Sequence, residues 1–244
     1  MAPRRRVAAL YDVEGNLPAL DAVLAEVERE SVDVVVCGGD LVVGPSPDEV
    51  FDRLAKVHDV RYLRGNADRM VLHGSHEYGT DWAATRARLG EARLATVASW
   101  PLTVELEIEG IGRALFCHAT PTADEPIYTR ITPDEDLAAL LGDVDADLVV
   151  VGHTHVQFDR SLPNGLRIVN AGSVGIPFER PPGAYWALLG PDVELRRTEY
   201  DVDAAVAAMR SGRAPVGEEY LAELLEPPDA EETTARFEAA RRGA

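Results

Sequence analysis

Seven residues that can hold metal ions or carry protons stand at the ends of apolar runs in this chain. Asp12 and Glu14 follow "VAALY" in "LYDVEGN", Asp40 closes "VVVCGGD", and Asn66 sits in "RGNAD". His118 ends "ALFCHA", and His153 and His155 follow "LVVVG" in "GHTH". This mixture of carboxylate, imidazole and amide donors suits divalent Mn, Fe, Zn or Mg. A two-metal site uses about seven protein ligands, one carboxylate joining ions roughly 3.5–4 Å apart. Such ions lower the pKa of a bridging water to give hydroxide, clamp phosphate oxygens and stabilise the leaving oxygen, so no serine or cysteine nucleophile is required. Taken singly, Asp12 or Asn66 reads as a turn former. Taken as an ordered set, the seven read as a metal centre.

Such a set requires strands that open onto one edge. Residues 6–11 predict a buried strand, and "NLPALDAVLAEVERE" an amphipathic helix with Leu17, Leu20, Val23, Leu24 and Val27 on one face. "SVDVVVCGGD" is a second strand, nearly all apolar, as parallel strands covered on both faces are. "SPDEVFDRLAKV" opens a helix with Ser and Pro, and "DVRYLRGN" is a third strand. This βαβαβ start predicts an α/β fold with right-handed crossovers, whose ligand crevice lies beyond the carboxyl ends of the strands.

Residues 67–100 break the rhythm and predict a small helical cap carrying His73 and His76. From residue 101 strands dominate: "LTVELEIEG" and "GRALFCHA" form a hairpin across "GIG", and "ADLVVVGHTH", "GLRIVNAGS", "AYWALLG" and "VELRRTEY" follow, with the helix "TPDEDLAALLG" between. The expected organisation is one domain over residues 1–200 and a helical C-terminal extension over 201–244. The polar stretch "AEETTARFEAARRGA" is expected to fray or to pack on its own domain or a partner, including a second copy of the chain.

The bulk properties narrow the function classes. The net charge of −18 among 244 residues argues against nucleic-acid backbones and anionic membranes as main partners. It leaves room for a small phosphorylated substrate or nucleotide, because metals or a local arginine cluster invert the field inside a cleft. The apolar content of 46% supports a large core. No apolar run reaches membrane-spanning length, and Cys37 and Cys117 sit in apolar strands as lone thiols, so a cytoplasmic protein is expected.

Five blocks in order now support a resemblance: Asp-x-x-Gly-Asn at 12–16, Gly-Gly-Asp at 38–40, Gly-Asn-x-Asp at 65–68, the strand-ending His118, and Gly-His-Thr-His at 152–155. Over residues 6 to 200 the chain resembles the calcineurin-like metallophosphoesterase family, and within it the small bacterial branch of simple phosphodiesterases, where a segment like "NAGSVGIP" (170–177) follows the Gly-His-x-His strand. The resemblance implies a four-layer α/β/β/α sandwich of two mixed sheets flanked by helices. It implies that Asp12, residue 14, Asp40 and His155 hold one ion and Asp40, Asn66, His118 and His153 the other, with Asp40 between them and manganese favoured.

Two positions depart from the family pattern. Glu14 stands where the family has histidine. A third carboxylate around the first ion favours hard ions such as Mg²⁺ or Mn²⁺ and leaves their water less acidic. The alternative for Glu14 is a carboxylate at the positive end of the following helix. Ala67 stands where many members carry a histidine that protonates the leaving group, so good leaving groups are expected, with Asp68 either orienting a ligand or acting as a weak acid. Arg130 and His76 are the candidate substrate contacts, Asn66, Asp68 and His118 the candidate catalytic residues. Arg160 and Arg180 can also bind phosphate, although surface pairing suits each of the arginines better. The expected activity is metal-dependent hydrolysis of a phosphodiester or nucleotide-type phosphate. The alternatives are a phosphomonoesterase and a catalytically weakened relative that binds ligands.

Overall fold

The computed structural model describes residues 5–74, 82–211 and 217–243. Two five-stranded mixed sheets and eight helices are found among them. In the first sheet β1 (Val7–Leu10), β2 (Val34–Cys37) and β3 (Val60–Tyr62) run parallel, and β9 (Ala184–Leu189) and β10 (Val193–Thr198) extend it antiparallel beyond β1. The helices between them are α1 (Leu17–Val27) and α2 (Pro47–Leu54). In the second sheet β4 (Thr103–Ile108) pairs antiparallel with β5 (Gly112–Cys117), as the hairpin pattern predicts. Parallel to β5 run β6 (Leu148–Val151) and β8 (Arg167–Asn170), and β7 (Phe158–Ser161) closes the edge.

Period-two alternation sorts each strand between two cores. In β1, Val7 and Ala9 face the layer between the sheets with Val36, Phe116 and Val150, while Ala8 and Leu10 face the helix side with Leu20, Val23 and Leu24. Both faces are buried, which is why the strand reads as a continuous apolar run. A third cluster seats α5 (Asp134–Leu141) on the outer face of the second sheet through Leu137 and Leu141. The expected α/β/β/α sandwich is therefore the observed one. Tyr11 ties the layers together, because its hydroxyl donates to the Val150 carbonyl (2.8 Å) in the buried space between the sheets. Tyr11→Phe is expected to lower the unfolding free energy by about 1 kcal/mol. An unchanged denaturant midpoint would show that the bond contributes nothing.

The helical insertion between β3 and β4 comprises α3 (Asn66–His73) and α4 (Ala83–Ala98). α4 sends Leu89, Leu94 and Val97, with Trp100 after it, into the helix-side core of the first sheet. At the C-terminus, α6 (Val202–Ser211) and α7 (Glu218–Leu225) share a small core of Val206, Met209, Leu221 and Leu224. The final helix α8 (Ala230–Gly243) packs back on the same chain despite its polar sequence. Its buried Glu238 accepts from the hydroxyls of Thr129 and Thr132, and Arg241 pairs with Asp136 (3.1 Å). No helix among the described residues is long and apolar enough to cross a membrane.

Candidate metal centre

The parallel strands β1, β2, β3, β5 and β6 each end at the same edge, and each delivers a member of the predicted set just beyond its last residue. Two groups of ligand atoms result, each lying within 4.8 Å of one another: Asp12, Glu14 and His155, and Asp12, Asp40 and His118. Glu14 thus reaches the cluster. The competing role at the helix start belongs to Asn16, whose Oδ1 accepts from the Ala19 N–H. Asp12 is the member common to both groups of donor atoms, whereas the resemblance implies Asp40 as the shared ligand. Asp40 turns Oδ2 toward His118 (3.3 Å), while its Oδ1 accepts from the backbone of Ala67 and Asp68.

The backbone is strained where these residues sit. Asp12, Glu14, Asp40, His153 and His155 all have φ between 50° and 65°, the left-handed region that side chains with a Cβ rarely adopt. Five such residues at one site indicate a conformation maintained for what it presents rather than for its own stability. Close backbone packing supports it. A Cβ on Gly39 would lie 2.7 Å from His118 Nδ1, and one on Gly152 2.4 Å from Asp12 Oδ2.

Hydrogen bonds aim the donor atoms. The Nδ1 atoms of His118 and His155 donate to the carbonyls of Gly38 (2.9 Å) and Ile176 (2.8 Å). That turns His118 Nε2 toward Asn66 Oδ1 (2.9 Å) and Asp12 Oδ1 (3.8 Å), and His155 Nε2 toward Asp12 Oδ1 (3.4 Å). Orientation of a ligating imidazole by a carbonyl on its other nitrogen is the usual support of metal sites. His153 is held the other way, its Nε2 on the Glu125 carbonyl (3.0 Å), with its ring against that of His118. The segment 170–177 braces the site: Ser173 Oγ donates to the Asp12 carbonyl and receives the Ile176 N–H.

One atom makes no hydrogen bond. Asp12 is fully buried; its Oδ2 accepts from the His153 N–H (3.0 Å), but its Oδ1, at the centre of the cluster, has only the more distant Nε2 atoms of His155 (3.4 Å) and His118 (3.8 Å) before it. A buried carboxylate oxygen left this way costs several kcal/mol unless a cation faces it, so the donor set fits divalent ions. The protein's own charges point the same way. Burial opposes charging of His118 and His155, yet Asp40 and Asp12 raise the first to about 10, and Asp12 and Glu14 the second to about 9. Burial and His118 push His153 down to about 4. Glu14 is raised well above the usual carboxylate range by burial and then by Asp40. Three acidic groups this close attract positive charge, and cations supply it more strongly than imidazolium protons.

Asp68 lies behind Asp40, fully buried, and both its oxygens are occupied by the backbone N–H groups of Asp40, Leu41, Val42 and Gly65. The acid role weighed for it therefore has no free oxygen to act through, and the orienting role is the one this geometry supports. Burial, with Asp40 adding, pushes its carboxyl up to about 7 against the pull of those N–H groups. The guanidinium of Arg130 pairs with Glu231 of α8 (2.5 Å). Arg160 binds the carbonyls of Arg130 and Thr132, and Arg180 that of Pro227. His73 is exposed at the end of α3. His76 lies outside the described residues.

Sequence reasoning also missed contributors. Phe178 stacks on His155 with ring centroids 4.7 Å apart, and Tyr220 of α7 donates to the Glu14 carbonyl (3.1 Å). Arg69 grips Asp124 and Glu125, fixing the loop whose carbonyl orients His153. Phe178 stands two residues beyond the Ile176 carbonyl that orients His155, a proximity that marked it as a neighbour. Tyr220 had no such signal, being about 200 residues away.

The chain is 29% identical over 245 residues to the uncharacterized protein MJ0912 of Methanocaldococcus jannaschii, covering 90% of this chain and 96% of that one. A crystal structure of a metallophosphoesterase from Sphaerobacter thermophilus superposes with a TM-score of 0.71 at 26% identity, over 91% of this chain and 98% of that one. The hypothetical protein PH1004 of Pyrococcus horikoshii shares the fold with a TM-score of 0.76 at 22% identity, over 92% and 99% of the two chains. Residues 6–190, the span that contains both sheets up to β9 and every member of the cluster, match the calcineurin-like phosphoesterase superfamily domain, and the chain belongs to that family.

Proposed function

We propose that this protein is a metal-dependent phosphoesterase that hydrolyses a phosphodiester or nucleotide-type phosphate. The observation that carries the reading is Asp12 Oδ1, buried and making no hydrogen bond, between two imidazoles and two further carboxylates. Asp12, Glu14, Asp40 and His155 would hold one divalent ion, and Asp40, Asn66, His118 and His153 the other, manganese being favoured. When bound, the ions supply the Lewis acidity that activates water and neutralises the phosphoryl oxygens. The chain's own residues do the rest. Asn66, His118 and His153 crowd one side of the cluster and orient the phosphoryl group. Ala67 offers no proton, so leaving groups that depart as stable anions are preferred, as in aryl esters and phosphoanhydrides.

The test is a metal-stripped sample assayed on bis(p-nitrophenyl) phosphate with Mn²⁺, Mg²⁺ or Zn²⁺ singly, with bound metal measured by elemental analysis. Mn²⁺ and Mg²⁺ are expected to outperform Zn²⁺. Glu14→His is expected to shift both occupancy and rate toward Zn²⁺ by about tenfold, the effect of exchanging a hard ligand for a borderline one. No turnover with any of the metals would defeat the proposal.

A further inference from the structure

The C-terminal helices lie beyond the span matched by the family domain, yet α7 and α8 each touch a residue in or next to the metal centre. α7 is fastened to the metal loop by the bond from Tyr220 to the Glu14 carbonyl. One turn further along α7, burial and then Glu219 push the carboxyl of Glu223 up, while Arg236 of α8 and His155 pull it the other way. From the cluster outward one stacked ring pair is followed by a tilted one. His155 lies 4.7 Å from Phe178, and Phe178 lies 6.3 Å from Phe237 of α8. The guanidinium carbon of Arg236 stands 5.9 Å from the Phe178 centroid and 5.6 Å from that of Phe237.

Arg236 differs from the arginines around it. Arg69, Arg130 and Arg160 are tied into ion pairs, and Arg180 into a carbonyl. Arg236 is exposed, and among the described residues it makes neither an ion pair nor a hydrogen bond. Its charge acts on the Glu223 carboxyl without a direct ion pair. The simplest alternative is a solvated surface side chain resting on apolar rings. Two aromatic faces hold this one, however, one ring beyond a metal-site imidazole. A guanidinium seated over aromatic faces keeps its N–H groups for other partners, and their fork suits paired hydrogen bonds with a phosphate.

We propose that Arg236 is a specificity-determining residue that binds a second phosphoryl group of the substrate, so that the preferred substrates are phosphoanhydrides such as nucleoside polyphosphates rather than simple diesters. This rests on the metal-dependent phosphoesterase reading and sharpens it. The scissile phosphoryl group would occupy the cluster, and the next one would reach past Phe178 to Arg236. On α7, Tyr220 is neutral and Glu223 acidic, so the positive charge to offset a second phosphate would come from Arg236.

Calorimetric titration of the Mg²⁺-loaded full chain with imidodiphosphate and with orthophosphate tests this without turnover. The wild type is expected to bind imidodiphosphate at least about tenfold more tightly than orthophosphate. Arg236→Gln is expected to erase that preference while leaving orthophosphate affinity and Tm unchanged, with Arg236→Lys restoring part of it. In parallel, Arg236→Gln should raise KM for ADP at least about tenfold and leave kcat/KM for bis(p-nitrophenyl) phosphate within about twofold. A preference for imidodiphosphate that survives in Arg236→Gln, an equal loss on both ligands, or no binding of either overturns the assignment. Turnover of the diester without any imidodiphosphate preference would reject the role of Arg236 and keep the phosphoesterase. The preference without turnover of any substrate would do the reverse.

Discussion

Asp12→Asn is expected to lower kcat/KM for an activated phosphodiester by about 10³-fold or more, and to reduce bound metal with it. The magnitude follows from what the carboxylate holds. It is common to both ligand groups, and its Oδ1 is the buried oxygen that accepts no hydrogen bond. Metal-ion catalysis supplies several kcal/mol of transition-state stabilisation, and about 4 kcal/mol corresponds to a thousandfold in rate. The same substitution should not unfold the protein. It replaces a buried charge by a neutral amide of the same shape and leaves an oxygen to accept the His153 N–H, but it also removes the charge that raises His118 and His155, so the Tm measured in chelator is expected to hold above about pH 10, where both imidazoles are neutral, and to fall at neutral pH. Loss of activity with stability retained at that high pH would mark a residue kept for function. Activity within tenfold of wild type would show that catalysis does not depend on this cluster.

The fold and the site were not equally legible. The parallel strands announced themselves because both faces of β1, β2 and β6 are buried, giving unbroken apolar runs that end in a chemically distinctive residue. β7 gave no such signal. It is an edge strand of four residues, of which Asp159 and Ser161 are exposed, so neither an apolar run nor an alternation marks it. Ligand identity was legible from motif order, including Glu14, which the structure brings to within reach of Asp12 and His155. The left-handed backbone at five of these positions was not, because it is imposed by contacts such as Glu14 N–H to the Asp40 carbonyl and Gly175 N–H to the Asp12 carbonyl. Nor was the docking of the last helix. α8 reads as a polar helix free to fray, and its docking depends on Glu238 meeting Thr129 and Thr132 across about a hundred residues.

Asp68→Asn is expected to cost about 2–5 kcal/mol of stability and to lower kcat/KM by about 10²-fold, although the residue does not enter the cluster. Its carboxylate receives four backbone N–H groups, at 2.8 Å from Asp40, 3.1 Å from Leu41, 3.2 Å from Val42 and 3.1 Å from Gly65. An asparagine keeps one acceptor and turns an NH₂ group toward donors, leaving buried N–H groups unsatisfied at roughly 1–3 kcal/mol each. Those donors carry Asp40 and the turn before Asn66, so relaxation of the loop displaces two candidate ligands at once. Loss of orienting partners around a metal site typically costs 10–100-fold. The pH profile and the leaving group separate this from general acid catalysis. A positioning role predicts a lower Tm, reduced metal occupancy, and a similar fractional loss for good and poor leaving groups with the profile unchanged. An acid role predicts an unchanged Tm, loss of one limb of the pH profile, and a deficit that grows as the leaving group worsens. That second pattern would require a free Asp68 oxygen that the four-fold N–H cradle denies it.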